Sequence, residues 1–287
     1  MRGEDTNHKY FHASLKSRSK SGISLLVSTT GQRLNTELEI AKEVTDFFIS
    51  LLGTTTVTSQ AIDRQIIGLG PILNIEQRRA LVSPVTAAEI WNGLQSIGDD
   101  KSPGADGYTA RFYKKAWPVI GAELTSAVQD FFSSGRLLRS INTTVITLIP
   151  KSPTATTVKE YHPIACCTVI YKIISKVMTT RMSKVMDYLV GKEQAAFVPG
   201  RFIHDNTIMA QEIIRGYGRK NTSSRCMIKI DLQKAYDSIS WLFVEDLLRG
   251  LGFPHQFVGW IITCLTTVSY QICLNGQVLE LLKERRD

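Results

Sequence analysis

"KIDLQKAYDSISW", Lys229 to Trp241, decides how the chain is read. Over "CMIKID" a period of two puts Cys226, Ile228 and Ile230 on one face and Met227, Lys229 and Asp231 on the other, the pattern of a short strand. The strand ends on an acid, Asp231, and a second acid, Asp237, follows six residues later. Asp237 stands where an N-cap belongs, before a helix from about Trp241 to Arg249 with Val244, Leu247, Leu248 and Leu251 as its core edge. Asp231 has two readings. It can simply end a strand, the commoner case, or it can be a rigid carboxylate able to hold Mg²⁺, an ion that tolerates little geometric error. Spacing alone leaves both open.

Working outward, strands and helices alternate irregularly. "ISLLVSTTGQRLNT" reads as a hairpin around Gly31. Thr36 and Glu39 form a capping box for a helix with the stripe Ile40, Val44, Phe47, Phe48 and Leu51, stopped by Gly53. "TTTVTSQ" is a polar linker and the expected internal boundary. A second capping box, Thr86 with Glu89, opens a helix ending near Gly98, and "DDKSPGADG" is a loop by its turn residues. A helix is expected from about Pro118 to Ser134, with Val119, Leu124, Val128, Phe131 and Phe132 inward and Gly135 as its stop. "TTVITLIP" is a strand ended by Pro150.

"TVIYKIISKVMTTRMSKVMDYLV" has the helical period at Ile170, Ile173, Ile174, Val177, Met182, Val185, Met186 and Leu189, with Lys172, Lys176 and Lys184 on another face. "DNTIMAQEIIRGYGRK" is a further helix, capped by Asp205 or Asn206. "VSYQICLNGQVLELL" is a hairpin turning at Asn275-Gly276 in type I′. Hairpins joined by long helical connections predict an α+β fold around an antiparallel sheet with packed helices.

With 287 residues, 43% hydrophobic and 21% charged, the composition is that of an ordinary globular chain. The formal charge of +8 favours an anionic partner such as nucleic acid. From Lys159 to Lys192 there are six Lys/Arg against two Asp/Glu, a face that suits a phosphate backbone or plain solvation equally well. Five cysteines without a CxxC pair read as reduced, mostly buried thiols rather than a zinc site or disulfide framework. His8 and His12 are four apart on a basic segment, "HKYFHASLKSRSK", but have no third ligand and read as an exposed helix face. "SPGADG" lacks the Gly-Lys-Ser/Thr ending of a phosphate-binding loop. Trp91, Trp117, Trp241 and Trp260 lie among helical apolar residues and read as core. The start has no apolar signal core, and no apolar run approaches the ~20 residues of a membrane helix. The expectation is a soluble, intracellular protein with no membrane role.

Context resolves Asp231. "KIDLQKAYDSISW" resembles motif A of reverse transcriptases of non-LTR (long interspersed) retrotransposons of the plant type. Upstream, "QAAFVPGRFIHDN" is similar to that family's glycine-arginine segment, "TLIPK" and "KEYHPIACC" to its first finger motifs, and "KSPGADGY" to the one before them. "NHKYFHASLKSR" resembles the stretch leading into the polymerase region, so the likeness runs over nearly the whole chain in order. It implies a right-hand polymerase fold with fingers and an incomplete palm and no thumb. Residues 1–60 would lead into the polymerase region, 61–225 would be fingers-like, and 226–287 a partial palm carrying motif A.

The resemblance also implies RNA-directed DNA synthesis: nucleotidyl transfer from a deoxynucleoside triphosphate to a DNA primer on an RNA template, with two Mg²⁺ ions. Asp231 would be the catalytic metal ligand, assisted by the Leu232 carbonyl. Tyr236 would exclude a ribose 2′-hydroxyl, and Lys151 would lie near the incoming phosphates. Gly200 and Arg201 would contact template or shape its groove. The family would place the chain in the nucleus.

Two departures qualify this. His162 stands in "YHPI" where the family has Arg, exchanging a permanent planar charge for one that depends on pH. The glycine-rich motif B and the paired aspartates of motif C are not found between Asp231 and the closing "LLKERRD". One carboxylate of a clustered set does not build a two-metal centre, so a chain truncated at this point is expected to be inactive alone. It would then be a non-catalytic RNA- or DNA-binding remnant, or a relic without function.

Overall fold

The computed structural model describes residues 22–53, 62–218, 226, 228 and 239–283. The basic segment with His8 and His12, the 54–60 linker and most of the Cys226–Asp237 stretch lie outside them. The described residues divide into two compact units, one within Met1–Thr55, Val85–Ile174 and Trp260–Asp287, the other within Thr56–Pro84 and Ser175–Gly259.

The first unit is built on a four-stranded sheet. Its strands are β3 (Thr143–Pro150), β4 (Tyr161–Cys166), β5 (Ser269–Leu274) and β6 (Gln277–Lys283), in the order β4-β3-β5-β6. The hairpins β3–β4 and β5–β6 are antiparallel as expected, but the central pair, β3 with β5, is parallel, so the sheet is mixed and not antiparallel. A buried polar ladder pins that pair at its start. Asn142 Nδ2 donates to Cys264 O (3.0 Å) and to Thr267 Oγ1 (2.9 Å), the Ser269 amide donates to Asn142 O, and the Thr143 and Ser269 hydroxyls meet at 3.0 Å. Pairing of these buried donors and hydroxyls across the two strands favours this register. Asn275 (φ 51°) and Gly276 (φ 84°) make the expected primed turn of β5–β6. Asn275 also clasps the chain at Ile23, accepting from its amide at 2.7 Å and donating to its carbonyl at 3.0 Å.

One sheet face carries the core. β1 (Leu26–Val27), β2 (Arg33–Leu34) and α1 (Glu37–Gly53) bring Leu26, Leu34, Ile40, Val44 and Phe48 against Ile146, Leu148, Ile272 and Leu274. The Thr36–Glu39 box is formed in both directions, and the Thr36 hydroxyl and then its amide, donating to the Glu39 carboxylate, hold that carboxyl below its ordinary pKa. α4 (Ala87–Gln95) keeps its predicted box but ends three residues before Gly98.

α5 (Ala110–Ser134) corrects the sequence reading at its start. Thr109 caps it, and Pro118 lies inside the helix instead of opening it. Proline usually stops a helix or stands at N1, so Pro118 reads as a helix start. Val119 is 81% exposed, not inward, while Leu124, Val128, Phe131 and Phe132 are buried, and Gly135 (φ 68°) closes the helix as expected. Trp91 meets Trp117 at 4.6 Å and buried Trp260 meets Phe132 at 4.9 Å, so these tryptophans pack and do not stand out as platforms.

α6 (Val169–Leu189) starts in the first unit and continues along the chain into the second. In the second unit α2 (Arg64–Gly68) crosses α8 (Trp241–Gly250) closely. A Cβ on Gly250 would come within 2.7 Å of Ile67 Cδ1. The Leu73 amide donates to Leu251 O at 3.0 Å. α3 (Ile75–Leu81) has an Asn74–Gln77 capping box, and α9 (His255–Thr266) begins after the αL turn at Gly252. α7 (Ile203–Arg215) starts earlier than expected. Phe202 is its N-cap, without a side-chain bond, and Asp205 and Asn206 lie inside the first turns; Asn206 donates to Glu193 O instead. Of the cysteines, Cys166 and Cys264 are buried and burial pushes the Cys264 thiol up to about 12, whereas Cys226 is exposed.

Candidate nucleic-acid and nucleotide-binding residues

Lys151 and His162 are brought together by the β3–β4 hairpin. Strand pairing sets Ile149 opposite His162 and Pro150 opposite Tyr161, and the Lys151 amide extends the ladder by donating to Glu160 O at 2.8 Å. Pro150, having no N–H, is tolerated here at the strand end. The connecting loop is closed by Glu160, whose carboxylate accepts from the Thr156 and Thr157 amides at 2.7 and 2.9 Å. Those backbone N–H groups hold the Glu160 carboxyl below its ordinary range. With the folded value lowered, this contribution is present above the unfolded carboxylate value of about 4.3 and is lost as pH falls through the folded one. The Lys151 ammonium donates to Lys159 O at 2.7 Å, which anchors it on its own loop, and His162 is exposed on the edge strand β4. The hairpin end therefore carries an ammonium bonded to its own loop and an exposed imidazole on the edge strand.

Gly200 and Arg201 end the turn between α6 and α7. Gly200 sits at φ 82°, a conformation only glycine adopts freely. The Arg201 guanidinium is engaged within the chain on every nitrogen. Nε and Nη2 donate to the Asp187 carboxylate, Nη2 to Val190 O (2.9 Å), and Nη1 to the carbonyls of Gly191 and Gln194. It thereby meets carbonyls at the C-terminus of α6, where orphan acceptors and the negative end of the dipole favour a cation. Its fixed fork is what lets one side chain serve diverging acceptors.

The "KSPGADG" loop is a turn, as read, but its first glycine has another cause. A Cβ on Gly104 would lie 2.4 Å from Thr168 N, so the loop backbone runs against the start of α6, while Gly107 (φ 74°) makes the turn. Lys172, from the predicted lysine face, donates to Ser102 O at 2.9 Å and ties the loop down. Lys114 bonds the Asp99 carboxylate (2.7 Å) and the Gln95 and Ile97 carbonyls, and that hydrogen bond holds Asp99 below its usual range. Lys176 and Lys184 remain on the exposed surface of α6.

Asp231, Leu232 and Tyr236 lie outside the described residues. Among the described residues, no three His, Cys, Asp or Glu are grouped to hold a metal ion, and no helix is long and apolar enough to cross a membrane. Sequence reasoning overlooked Arg181. It occupies the apolar stripe of α6, is 4% exposed, and donates to the carbonyls of Leu81, Ser83 and Pro84 at 3.1, 2.6 and 3.2 Å. The available signal was its i+4 spacing from Val177, which a surface cation would not share.

Comparison with known proteins shows what these residues are similar to. Residues 149–284, from the end of β3 to the last strand, match the family "Reverse transcriptase (RNA-dependent DNA polymerase)". The chain is 25% identical over 272 residues to the Transposon TX1 uncharacterized 149 kDa protein of Xenopus laevis, covering 94% of this chain and 21% of the relative. It is 28% identical over 160 residues to a retrovirus-related Pol polyprotein from the type-2 retrotransposable element R2DM of Drosophila melanogaster, covering 56% and 15%. The Pol polyprotein of a type-1 retrotransposable element R2 of Bradysia coprophila is 24% identical over 198 residues, covering 69% and 22%. The chain thus spans about a fifth of the length of these curated relatives. Over residues 149–284 the chain is thus reverse transcriptase-like, and along more of its length it is similar to a fragment of retrotransposon polyproteins.

Proposed function

We propose that this chain supplies the fingers and part of the palm of a plant-type non-LTR reverse transcriptase. Residues 1–60 lead in, 61–225 are fingers-like, and 226–287 begin the palm. The observation that carries the reading is the family match over residues 149–284, which takes in the hairpin presenting Lys151 and His162. In this reading Lys151 and His162 attract the triphosphate of an incoming deoxynucleotide. Leu232 and Tyr236 flank its sugar, and Tyr236 rejects a 2′-hydroxyl. Gly200 shapes the template groove, and Arg201 holds that shape from within. RNA template and DNA primer are the partners, and the nucleus is the expected setting.

Asp231 is the proposed Mg²⁺ ligand. Asp231 lies outside the described residues, and among those described no three His, Cys, Asp or Glu are grouped to hold a metal ion, so a two-metal centre is not assigned to them. No step through the metal is derived for this chain by itself. In this reading the chain alone binds nucleic acid without extending a primer, which the exposed Lys176 and Lys184 of α6 favour. Primer extension on poly(rA)–oligo(dT) with Mg²⁺ and dTTP, beside an Asp231→Ala control, tests it. No extension, together with RNA binding that weakens steeply with salt, is expected. Extension that the control abolishes would show that the carboxylates are completed from elsewhere and would overturn the non-catalytic reading.

A further inference from the structure

The β3–β4 hairpin closes on ten residues, 151–160, where hairpins usually close on about two to five. Ordering so long a loop costs conformational entropy, so it keeps one shape only where it is held. Here it is held from inside and from outside. Inside, the Glu160 carboxylate accepts from the Thr156 and Thr157 amides at 2.7 and 2.9 Å. The Lys151 amide and ammonium donate across the neck of the loop to Glu160 O and Lys159 O. Outside, the Val27 amide donates to Thr156 O at 2.7 Å, so Thr156 is gripped on both of its backbone groups.

The outside hold starts at the other hairpin. β5 is parallel to β3, with Thr147 opposite Cys273, so the β5–β6 turn lies at the same end of the sheet as residues 151–160. There Asn275 takes both backbone groups of Ile23, at 2.7 and 3.0 Å. The chain from Ile23 to Val27 is therefore a strap across the sheet end, pinned to one hairpin at each of its ends. Four residues reach at most about 14 Å, and the two hairpins lie two strand spacings of roughly 4.8 Å apart, so the strap has little slack. Ile23 and Leu26 pack into the core, Leu26 with no exposure.

We propose that Asn275 and Glu160 are positioning residues for triphosphate binding, Asn275 fixing the strap and Glu160 fixing Thr156, so that Lys151 and His162 are held at one spacing for one triphosphate. This rests on the reading of Lys151 and His162 as the residues that attract an incoming deoxynucleotide, and it adds the residues that hold them in place. Neither positioning side chain has to touch the nucleotide. An anion that meets two groups already fixed does not have to order them on binding, and that saving appears as affinity.

Calorimetric titration with dTTP tests it, with thymidine as the control that lacks phosphates. The native chain is expected to bind dTTP and not thymidine. Lys151→Ala should weaken binding about ten- to a hundredfold, as loss of a hydrogen bond to a charged group does. Asn275→Gly keeps the positive φ of the turn and deletes only the clasp. It should still melt cooperatively, yet bind dTTP about two- to thirtyfold more weakly, the range of a coupling between separated residues. Glu160→Ala, which releases Thr156 and Thr157, should do the same, and Glu160→Gln, which keeps an oxygen for those amides, should recover most of the affinity. Adding Asn275→Gly to Lys151→Ala should weaken binding less than it does in the native chain, because part of what the clasp positions is already gone. If the native chain binds no dTTP, binds thymidine as well, or loses nothing in Lys151→Ala, this inference and the functional reading of Lys151 and His162 fail together. If those three hold but Asn275→Gly or Glu160→Ala binds as tightly as the native chain, or the losses in the double variant add in full, this inference alone fails. Should Asn275→Gly unfold, the Glu160 pair decides: no recovery in Glu160→Gln would assign the loss to charge and not to position, and would overturn it.

Discussion

Helices α6 and α7 have similar amphipathic sequences and different surroundings. α6 buries Ile173, Ile174, Val177, Met178, Arg181 and Val185. α7 buries nothing among the described residues, and Ile208, Met209, Ile213 and Ile214 are 46–61% exposed. Periodicity therefore decides that a segment is helical and which way its stripe faces. It does not decide what covers the stripe. That depends on partners far off in sequence, such as the Leu81–Pro84 turn that Arg181 meets about a hundred residues away.

Four substitutions press on this difference. Ile173→Ala should destabilise by about 2–5 kcal/mol, since it deletes a fully buried branched chain from α6. A thermal melt close to that of the native chain would mean that α6 is not the packed helix it looks. Arg181→Ala should cost about 2–4 kcal/mol, because three carbonyls lose a charged donor in a buried setting. Arg181→Lys should recover only part, a single ammonium being unable to span the fork's acceptors. Full recovery would show that charge, not geometry, holds the turn. Ile213→Ala on α7 should stay within about 0.5 kcal/mol, as surface changes do. A loss as large as that of Ile173→Ala would erase the contrast and show α7 covered in solution.

Much of the fold was legible because it is local. Capping boxes at Thr36 and Thr86, the left-handed Gly135 stop and the Asn275-Gly276 turn each need only a few neighbouring residues to agree, and each stands where expected. The misses are non-local or run against a local rule. Nothing near β3 announces that its other neighbour is a parallel strand, since the deciding hydrogen bonds join Asn142 to Cys264 and Thr267. Pro118 reads as a helix start and is a helix interior. At the candidate site, motif likeness singled out Arg201 but could not show that its guanidinium is engaged by the end of α6. Arg181, on the apolar stripe, passed as one more surface cation. The positive φ of Phe197 had no signal in the sequence, being a property of coordinates and not of composition.

The parallel contact between β3 and β5 has a consequence in time. Thr143 and Ser269 are 126 residues apart. At roughly 5–20 residues per second on a ribosome, β3 exists for about 6–25 s before β5 has been made. During that interval β4 can pair at once, being next along the chain, while the other side of β3 stays open with its amides and carbonyls unmet. The segment synthesised meanwhile includes most of the second unit. Nascent chains should therefore be most prone to chaperone capture and misassembly from the emergence of the β3–β4 hairpin until Ser269 arrives. A stall placed between them would lengthen that window without altering a single contact of the finished protein.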